Sequence, residues 1–197
     1  MTHFREVALS HASRLINHGP TVLVTSAHAG ARNIMAAAWS MPVEFTPPRI
    51  AIVIDKKTFT RELVAASGSF GICLPSQALA ALTYAVGSVS GRTVDKFAQH
   101  GLTPRSGPVS GVPLLEQGCA AWLECRLIPE PHTQDAYDTC FAEVVAAAAD
   151  ERVFSEGHWR FTDDNAGLQT IHHLGGGNFV RSAGMFHADA PSRSNGL

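Results

Sequence analysis

The feature that most constrains the fold of this chain is a succession of short apolar segments, rich in β-branched residues and divided by glycine and proline turns. Such segments, without alternating helices, predict an antiparallel sheet rather than the parallel sheet of a βαβ protein. The first two flank His28, Ala29 and Gly30, so we predict that they pair as a hairpin. The segments with strand character are 21–25, 33–40, 50–54, 70–74, 119–128 and 137–149.

Helices are predicted at four places around these strands. Apolar residues recur at helical spacing over 4–16, before Gly19 and Pro20 stop the helix. Thr60 is predicted to cap a short helix that ends near Ser67, and residues 76–86 and 95–97 are also helical. The expected class is mainly β, with peripheral helices packed outside an antiparallel barrel.

Length and charge limit the partners. A chain of 197 residues is one domain of ordinary size, predicted over 1–187, with a flexible polar tail at 188–197. Because 45% of the residues are hydrophobic and only 16% are charged, we predict that a second subunit covers part of the surface.

A net charge of -2 provides no positive field for nucleic acid or a membrane surface.

Targeting and cysteine usage indicate a cytoplasmic protein. No apolar run approaches the roughly 20 residues of a membrane span, and the N-terminus lacks the pattern of a signal peptide. The four cysteines form no C-x-x-C pair and are expected to be reduced and buried: Cys73, Cys119, Cys125 and Cys140.

Several common site motifs are absent from the sequence. No G-x-G-x-x-G, P-loop, G-x-S-x-G or H-E-x-x-H pattern occurs, so a Rossmann site, a hydrolase elbow and a zinc site are not expected. His172 and His173 would point to opposite faces of an extended segment, and we predict no metal. Together with the glycines at 175–177 they either close over a ligand or form a plain terminal turn.

A cationic corner follows the apolar strand at 50–54. Lys57, Thr58, Thr60 and Arg61 stand where that strand ends and a helix begins. Unpaired N–H groups at a helix start, hydroxyl donors and a cation suit a phosphate group. The alternative is a solvated strand end with an ordinary threonine cap.

A strand with a middle of small residues is the second candidate. Small side chains let a flat ring approach the backbone, whose N–H and C=O groups can pair with the polar edge of that ring. The alternative is a tightly packed core strand. Its candidate residues are Asn33, Ile34, Met35, Ala36, Ala37, Ala38 and Ser40.

Taken in order, these elements resemble the flavin reductase-like FMN-binding family that includes flavoredoxin. The resemblance covers about residues 20–145. No single one of its motifs is specific to the family, but the order of the motifs is. It rests on Gly30-x-x-Asn33, Ser40, Pro47-Pro48, Lys57-Thr58-x-Thr60-x-x-Leu63, Gly68-x-Phe70, Asp95-Lys96-Phe97, Gly101-Leu102-Thr103 and 113–125.

The resemblance implies an FMN-binding split β-barrel of antiparallel Greek-key type. It also implies a homodimer with FMN, rather than FAD, near the subunit interface. The strand at 33–40 would line the flavin ring and ribityl chain, and Lys57, Thr58, Thr60 and Arg61 would hold the phosphate. Asp95, Lys96 and Phe97 would stand near the ring.

The activity implied by the resemblance is NAD(P)H-dependent flavin reduction, with hydride passing from nicotinamide to flavin N5 and a monooxygenase or redox protein as partner. Relatives that reduce flavin often carry a Gly-Asp-His turn, whereas this chain has Pro131-His132-Thr133-Gln134-Asp135. The altered turn favours a noncatalytic FMN-binding electron carrier, although His132 could still act there. A third reading is a β-barrel protein without flavin. No catalytic side chain is identified.

Overall fold

Antiparallel strands make up most of this protein, as seen in a computed structural model that describes residues 3–12, 15 and 19–188. The strands of these residues are β1 (Phe4–Glu6), β2 (Val22–His28), β3 (Ala31–Ala37), β4 (Ser40–Phe45), β5 (Pro48–Val53), β6 (Ser69–Pro75), β7 (Arg105–Ser106), β8 (Pro113–Leu114), β9 (Cys119–Ile128), β10 (Thr139–Asp150), β11 (Phe154–Ser155), β12 (His158–Trp159), β13 (Ile171–Gly175) and β14 (Asn178–Arg181).

The main sheet has eight strands in the order β3-β2-β6-β9-β10-β5-β4, and β1 joins it by pairing with β10. Every pair is antiparallel. The long strand β10 carries a bulge between Val144 and Ala146, and it pairs with β5 through its first half and with β1 through its end. Strands β3 and β4 therefore lie at the two ends of the strand order.

Helices pack around this sheet. They are α1 (Leu9–Ala12), α2 (Phe59–Ser67), α3 (Ala80–Ser88), α4 (Lys96–Gln99) and α5 (Pro131–Tyr137). Thr58 is the N-cap of α2, and its side chain accepts a hydrogen bond from Arg61 N. Gly68 is the C-cap. At Gly68 φ is 71°, a left-handed conformation that glycine adopts at no steric cost. The predicted mainly β, antiparallel class with peripheral helices is confirmed.

The core has two layers because alternate residues of the central strands point to opposite faces of the sheet. Val24, Ile72 and Leu123 belong to one buried cluster, together with Val64 of α2. Their neighbours Leu23, Cys73 and Trp122 belong to a second cluster, which Val86 of α3 and Phe97 of α4 complete. Both faces of the central strands are thus covered.

Local predictions at the chain ends and caps need correction. Residues 4–6 form β1 instead of a helix, because Phe4 and Glu6 pair with the end of β10 that β5 leaves uncovered. The hairpin of β2 and β3 is confirmed, but β3 ends at Ala37 and Ser40 begins β4. Thr58, not Thr60, caps α2. Residues 137–138 lie outside β10, because Tyr137 ends α5.

Other expectations concern cysteines and the termini. All four cysteines are free and buried, as predicted. No helix in the described ranges is long and apolar enough to cross a membrane. The predicted tail lies, apart from Ala188, outside the described residues, as do positions 13–14 and 16–18 of the predicted first helix.

Candidate functional site

The outer edge of β3 presents peptide groups that pair with no other strand of the described residues. The ammonium of Lys96 donates to the carbonyl of Ile34 at 2.9 Å, so this carbonyl points away from β2. In an antiparallel pair, the peptide groups that point outward belong to alternate residues. The N–H and C=O groups of Ala36 therefore also face the edge of the sheet, beside side chains too small to cover them.

A cavity of about 210 Å³ lies at the alanine-rich end of β3. Helix α3 forms one side and approaches closely, since a Cβ built on Gly87 would lie 3.3 Å from the Cβ of Ala36. The wall combines small residues with three rings: it consists of Thr21, Ala36, Ala37, Ala38, Thr83, Tyr84, Gly87, Ser88, His173 and Phe179. Such a wall suits a flat, largely apolar ligand that pairs with backbone groups.

The hairpin of β13 and β14 forms one wall of this cavity. The backbone N–H of His173 donates to Thr21 Oγ1 at 2.8 Å, and the His173 ring lies 5.0 Å from the Phe179 ring, centroid to centroid. At the turn, a Cβ built on Gly177 would lie 3.4 Å from the Tyr84 ring. The segment is therefore a β-hairpin that contributes His173 and Phe179 to one wall of the cavity.

The cationic corner at the start of α2 is largely organised by internal hydrogen bonds. Thr58 Oγ1 donates to Asp55 O at 2.7 Å while it accepts from Arg61 N at 3.2 Å. Arg61 is 8% exposed, and its guanidinium donates to Ile54 O and Gln134 O. Lys57 is exposed, and its ammonium makes no ion pair with any described residue. Lys57 is therefore the cation of this corner that a ligand could recruit directly.

Asn33 connects this corner to β3. Its Nδ2 donates to Thr60 Oγ1 at 2.8 Å, and both side chains are buried. The buried Oδ1 of Asn33 has no hydrogen-bond partner among the described residues. Gly91 lies directly on this amide, because a Cβ built there would be 2.1 Å from Oδ1. The Oγ of Ser40, also buried, has no partner in the described part of the chain either.

Two arginines border a second cavity, of about 390 Å³, between the β2–β3 turn and the loop that follows α3. Arg32 pairs with Asp95 at 2.9 Å and lies over the ring of Phe97, 4.8 Å from its centroid. This pairing holds the pKa of the Asp95 carboxyl below its usual value. Arg92 pairs with Glu62 and donates to Lys57 O at 2.9 Å.

Lys96 and Phe97 lie beneath the site. Lys96 is 2% exposed, and its Nζ donates to Ile34 O at 2.9 Å and Val86 O at 2.6 Å, which joins β3 to α3. Burial lowers the pKa of this ammonium. Phe97 is fully buried in the core. His132 lies elsewhere, on α5, with its ring against Tyr137.

The edge strand β3 thus connects a cavity lined by small residues with the cationic start of α2. A model of the flavin reductase like domain matches residues 14–166. The chain belongs to that family. Its members with solved structures include an FMN-binding domain of a flavin reductases-like enzyme from Shewanella baltica OS155, 41% identical with a TM-score of 0.89 over 95% of this chain and 98% of that one.

Two further relatives extend the comparison. Flavoredoxin of Desulfovibrio vulgaris (Miyazaki F) is 28% identical with a TM-score of 0.74, over 89% of this chain and 92% of that one. The uncharacterized protein YddH of Escherichia coli (strain K12) is 59% identical over 184 residues, 92% of this chain and 96% of YddH. The expected resemblance and fold class are confirmed, and the family is one of FMN-binding proteins.

Sequence reasoning did not identify several residues that line the two cavities. Arg32 and Asp95 are separated by 63 positions, so no local pattern signals their pairing. Tyr84 and Phe179 come from α3 and β14, which only the folded chain brings together. His173 belongs to a His-His pair just before three glycines, which is visible in the sequence. That pattern does not reveal that its side chain lines the cavity. Arg92 stands in a segment that reads as an ordinary flexible loop.

Proposed function

We propose that this protein binds FMN noncovalently along β3 and acts as an NAD(P)H-dependent flavin reductase. The observation that carries the proposal is the edge of β3, whose outward peptide groups at Ala36 adjoin a cavity with a wall of small residues and rings. When bound, FMN supplies the two-electron chemistry. The chain's own residues bind the flavin, orient it and shield one of its faces.

The fit of FMN to these residues is supported by length and by donor chemistry. From Asn33 to Ala37 the strand spans roughly 13 Å. The ring would bind in the cavity at one end of this stretch, and the phosphate would bind in the cationic corner at the other. The first turn of α2 contributes N–H groups without acceptors inside the helix, and Lys57 contributes a positive charge.

The remaining predicted residues support the site from behind. Thr58 would cap α2, while Thr60 and Arg61 would fix the corner through their bonds to Asn33 and to Ile54 O. Ile34, Met35 and Ala37 would shape the strand. Lys96 and Phe97 would hold β3 against α3 and α4, and Ser40 would extend the ring site at the start of β4.

The phosphate assignment is tested with two adjacent lysines. Lys57→Ala should weaken FMN binding about tenfold, because a charge-assisted hydrogen bond is worth roughly 1.5–3 kcal/mol. It should leave riboflavin binding unchanged, since riboflavin has no phosphate. Lys56→Ala is the control, because the Lys56 ammonium already lies 3.7 Å from Asp138 Oδ1. Equal FMN affinity in both variants would reject Lys57 as a phosphate ligand.

The ring assignment is tested by filling the cavity. Ala38→Leu adds three carbons to an exposed position of the wall, so it should reduce the affinity for FMN and for riboflavin alike without loss of folding. Ala66→Leu, at an exposed position of α2, is the control. Tight riboflavin binding by Ala38→Leu would place the ring elsewhere.

The second candidate function is an electron carrier that receives electrons from a partner protein. The segment at 131–137 favours it, because α5 stands where flavin-reducing relatives often carry a Gly-Asp-His turn. An absorption spectrum at 350–500 nm with FMN, followed by anaerobic NADH or NADPH, separates the two. A flavin band that bleaches supports a reductase, and a bound band that stays supports a carrier.

The assembly we propose is a homodimer formed through β4. Large apolar side chains stay exposed on this edge strand and on the residue before it: Met41 by 58%, Phe45 by 70% and Trp39 by 74%. Contiguous exposed apolar surface of this kind marks interfaces. Phe45→Glu should shift the sedimenting species from dimer to monomer. A cytoplasmic location, a single domain over 1–187 and delivery of electrons to a monooxygenase or redox protein complete the proposal.

A further inference from the structure

The C-terminal hairpin brings a histidine into the ring cavity. His173 on β13 and Phe179 on β14 are paired across the hairpin, and both line the cavity opposite Ala36 and Ala37. In the proposed function, this wall of the cavity only shapes the ring site and takes no part in the chemistry. What the hairpin contributes depends on which of its polar groups remain available to a ligand.

Most hydroxyls of the wall are engaged with the protein. Thr83 Oγ1 donates to Leu79 O at 2.9 Å, Ser88 Oγ donates to Tyr84 O at 2.8 Å, and Thr21 Oγ1 accepts from His173 N. The His173 imidazole and the Tyr84 phenol make no side-chain hydrogen bond within the described residues. Among the described lining residues, the available side-chain donors are therefore the imidazole, the phenol and the O–H of Thr21, whose oxygen only accepts.

The imidazole is held in a defined place. The N–H of Thr21 donates to Ile171 O at 2.8 Å, and the N–H of His173 donates to Thr21 Oγ1, so two bonds fix β13 to the start of β2. The ring of Phe179 lies beside that of His173, at an interplanar angle of 48°. The lining residues include no carboxylate that could compete for the imidazole.

We propose that the His173 imidazole hydrogen-bonds the flavin in this cavity and stabilises reduced FMN more than oxidised FMN. This inference rests on the proposed function. Reduced flavin carries more negative charge, and hydrogen bonds to a charged acceptor are about twice as strong as neutral ones. The hairpin thus tunes the redox equilibrium as well as enclosing the ring.

The experiment compares three variants of the full chain with wild type. His173→Leu removes the donor, His173→Gln keeps one, and His172→Leu is the control because adjacent side chains on β13 point to opposite faces. Two quantities are measured anaerobically: the dissociation constant of oxidised FMN and the two-electron reduction potential of bound FMN, against a reference dye.

In His173→Leu we expect reduced FMN to lose about tenfold more affinity than oxidised FMN, which lowers the two-electron potential by about 30 mV. His173→Gln should recover part of this shift, and His172→Leu should match wild type. If His173→Leu binds FMN with the wild-type potential, this inference fails alone. If wild-type protein binds no FMN, the proposed function fails and this inference with it.

Discussion

Replacing Lys96 by methionine tests how the edge of β3 is held. Lys96 is 2% exposed, and its ammonium donates to Ile34 O and Val86 O. Methionine has a similar length but no donor. The substitution therefore removes the link between β3 and α3 while filling most of the same volume.

The expected cost follows from these two bonds. A hydrogen bond from a charged donor contributes roughly 1.5–3 kcal/mol, and a buried carbonyl left unpaired costs about 1–3 kcal/mol. Burial of the ammonium offsets part of this, as the lowered pKa of Lys96 indicates. We expect a net loss of about 2–4 kcal/mol from a free energy of unfolding that is typically about 5–15 kcal/mol.

Urea unfolding of wild type, Lys96→Met and Lys56→Met measures this loss. Lys56 is the control, because its ammonium is exposed and its ion pair with Asp138 should contribute at most about 1 kcal/mol. FMN affinity should fall in Lys96→Met, since the peptide edge at Ala36 is no longer fixed. A loss no larger than that of Lys56→Met would refute the reasoning.

Three further outcomes are expected. Gly71→Ala should destabilise by roughly 1–3 kcal/mol in urea unfolding, because its Cβ would lie 2.3 Å from Thr25 Oγ1 and 2.7 Å from Leu114 Cδ2; a neutral change would contradict this packing. Burial raises the pKa of the Cys73 thiol to about 12, so a thiol reagent at neutral pH should label it only after unfolding, as mass spectrometry would detect. Because the folded pKa of Lys96 is lowered, the unfolded state binds more protons between that pKa and the ordinary 10.5. The stability of wild type relative to Lys96→Met should therefore rise with pH through this window in urea titrations, and a falling difference would contradict the lowered pKa.

The strands were predictable because their pattern is local. The bounds of β9 match the predicted segment 119–128, and turn residues marked the hairpin of β2 and β3. The first predicted helix was right at α1 but wrong at residues 4–6, because their pairing with β10 is a long-range contact that no local pattern reveals. The cap of α2 was misplaced by two residues because two threonines compete there, and Thr60 is instead committed to Asn33.

The candidate site was predictable only along single segments. The small-residue strand and the Lys57 corner could be found because each is continuous in sequence. The opposite wall could not, since Tyr84, His173 and Phe179 come from α3 and from a hairpin about 90 residues further along the chain. Sequence patterns also do not reveal when a polar side chain is already engaged, as Arg61 is with two backbone carbonyls.

The two ends of the main sheet differ in chemistry, and this difference links the proposed cofactor site to the proposed dimer. An exposed edge strand is a liability, because its unpaired peptide groups can pair with another chain. At β3, α3 and the C-terminal hairpin cover part of the edge. The small side chains there leave its peptide groups accessible to a ligand in the cavity. At and just before β4, large apolar side chains stay exposed instead: Trp39, Met41 and Phe45. We therefore expect Phe45→Glu to separate the subunits, while Ala38→Leu should block FMN in a chain that still forms dimers. Loss of both properties in both variants would mean that the ring cavity and the subunit interface are one surface.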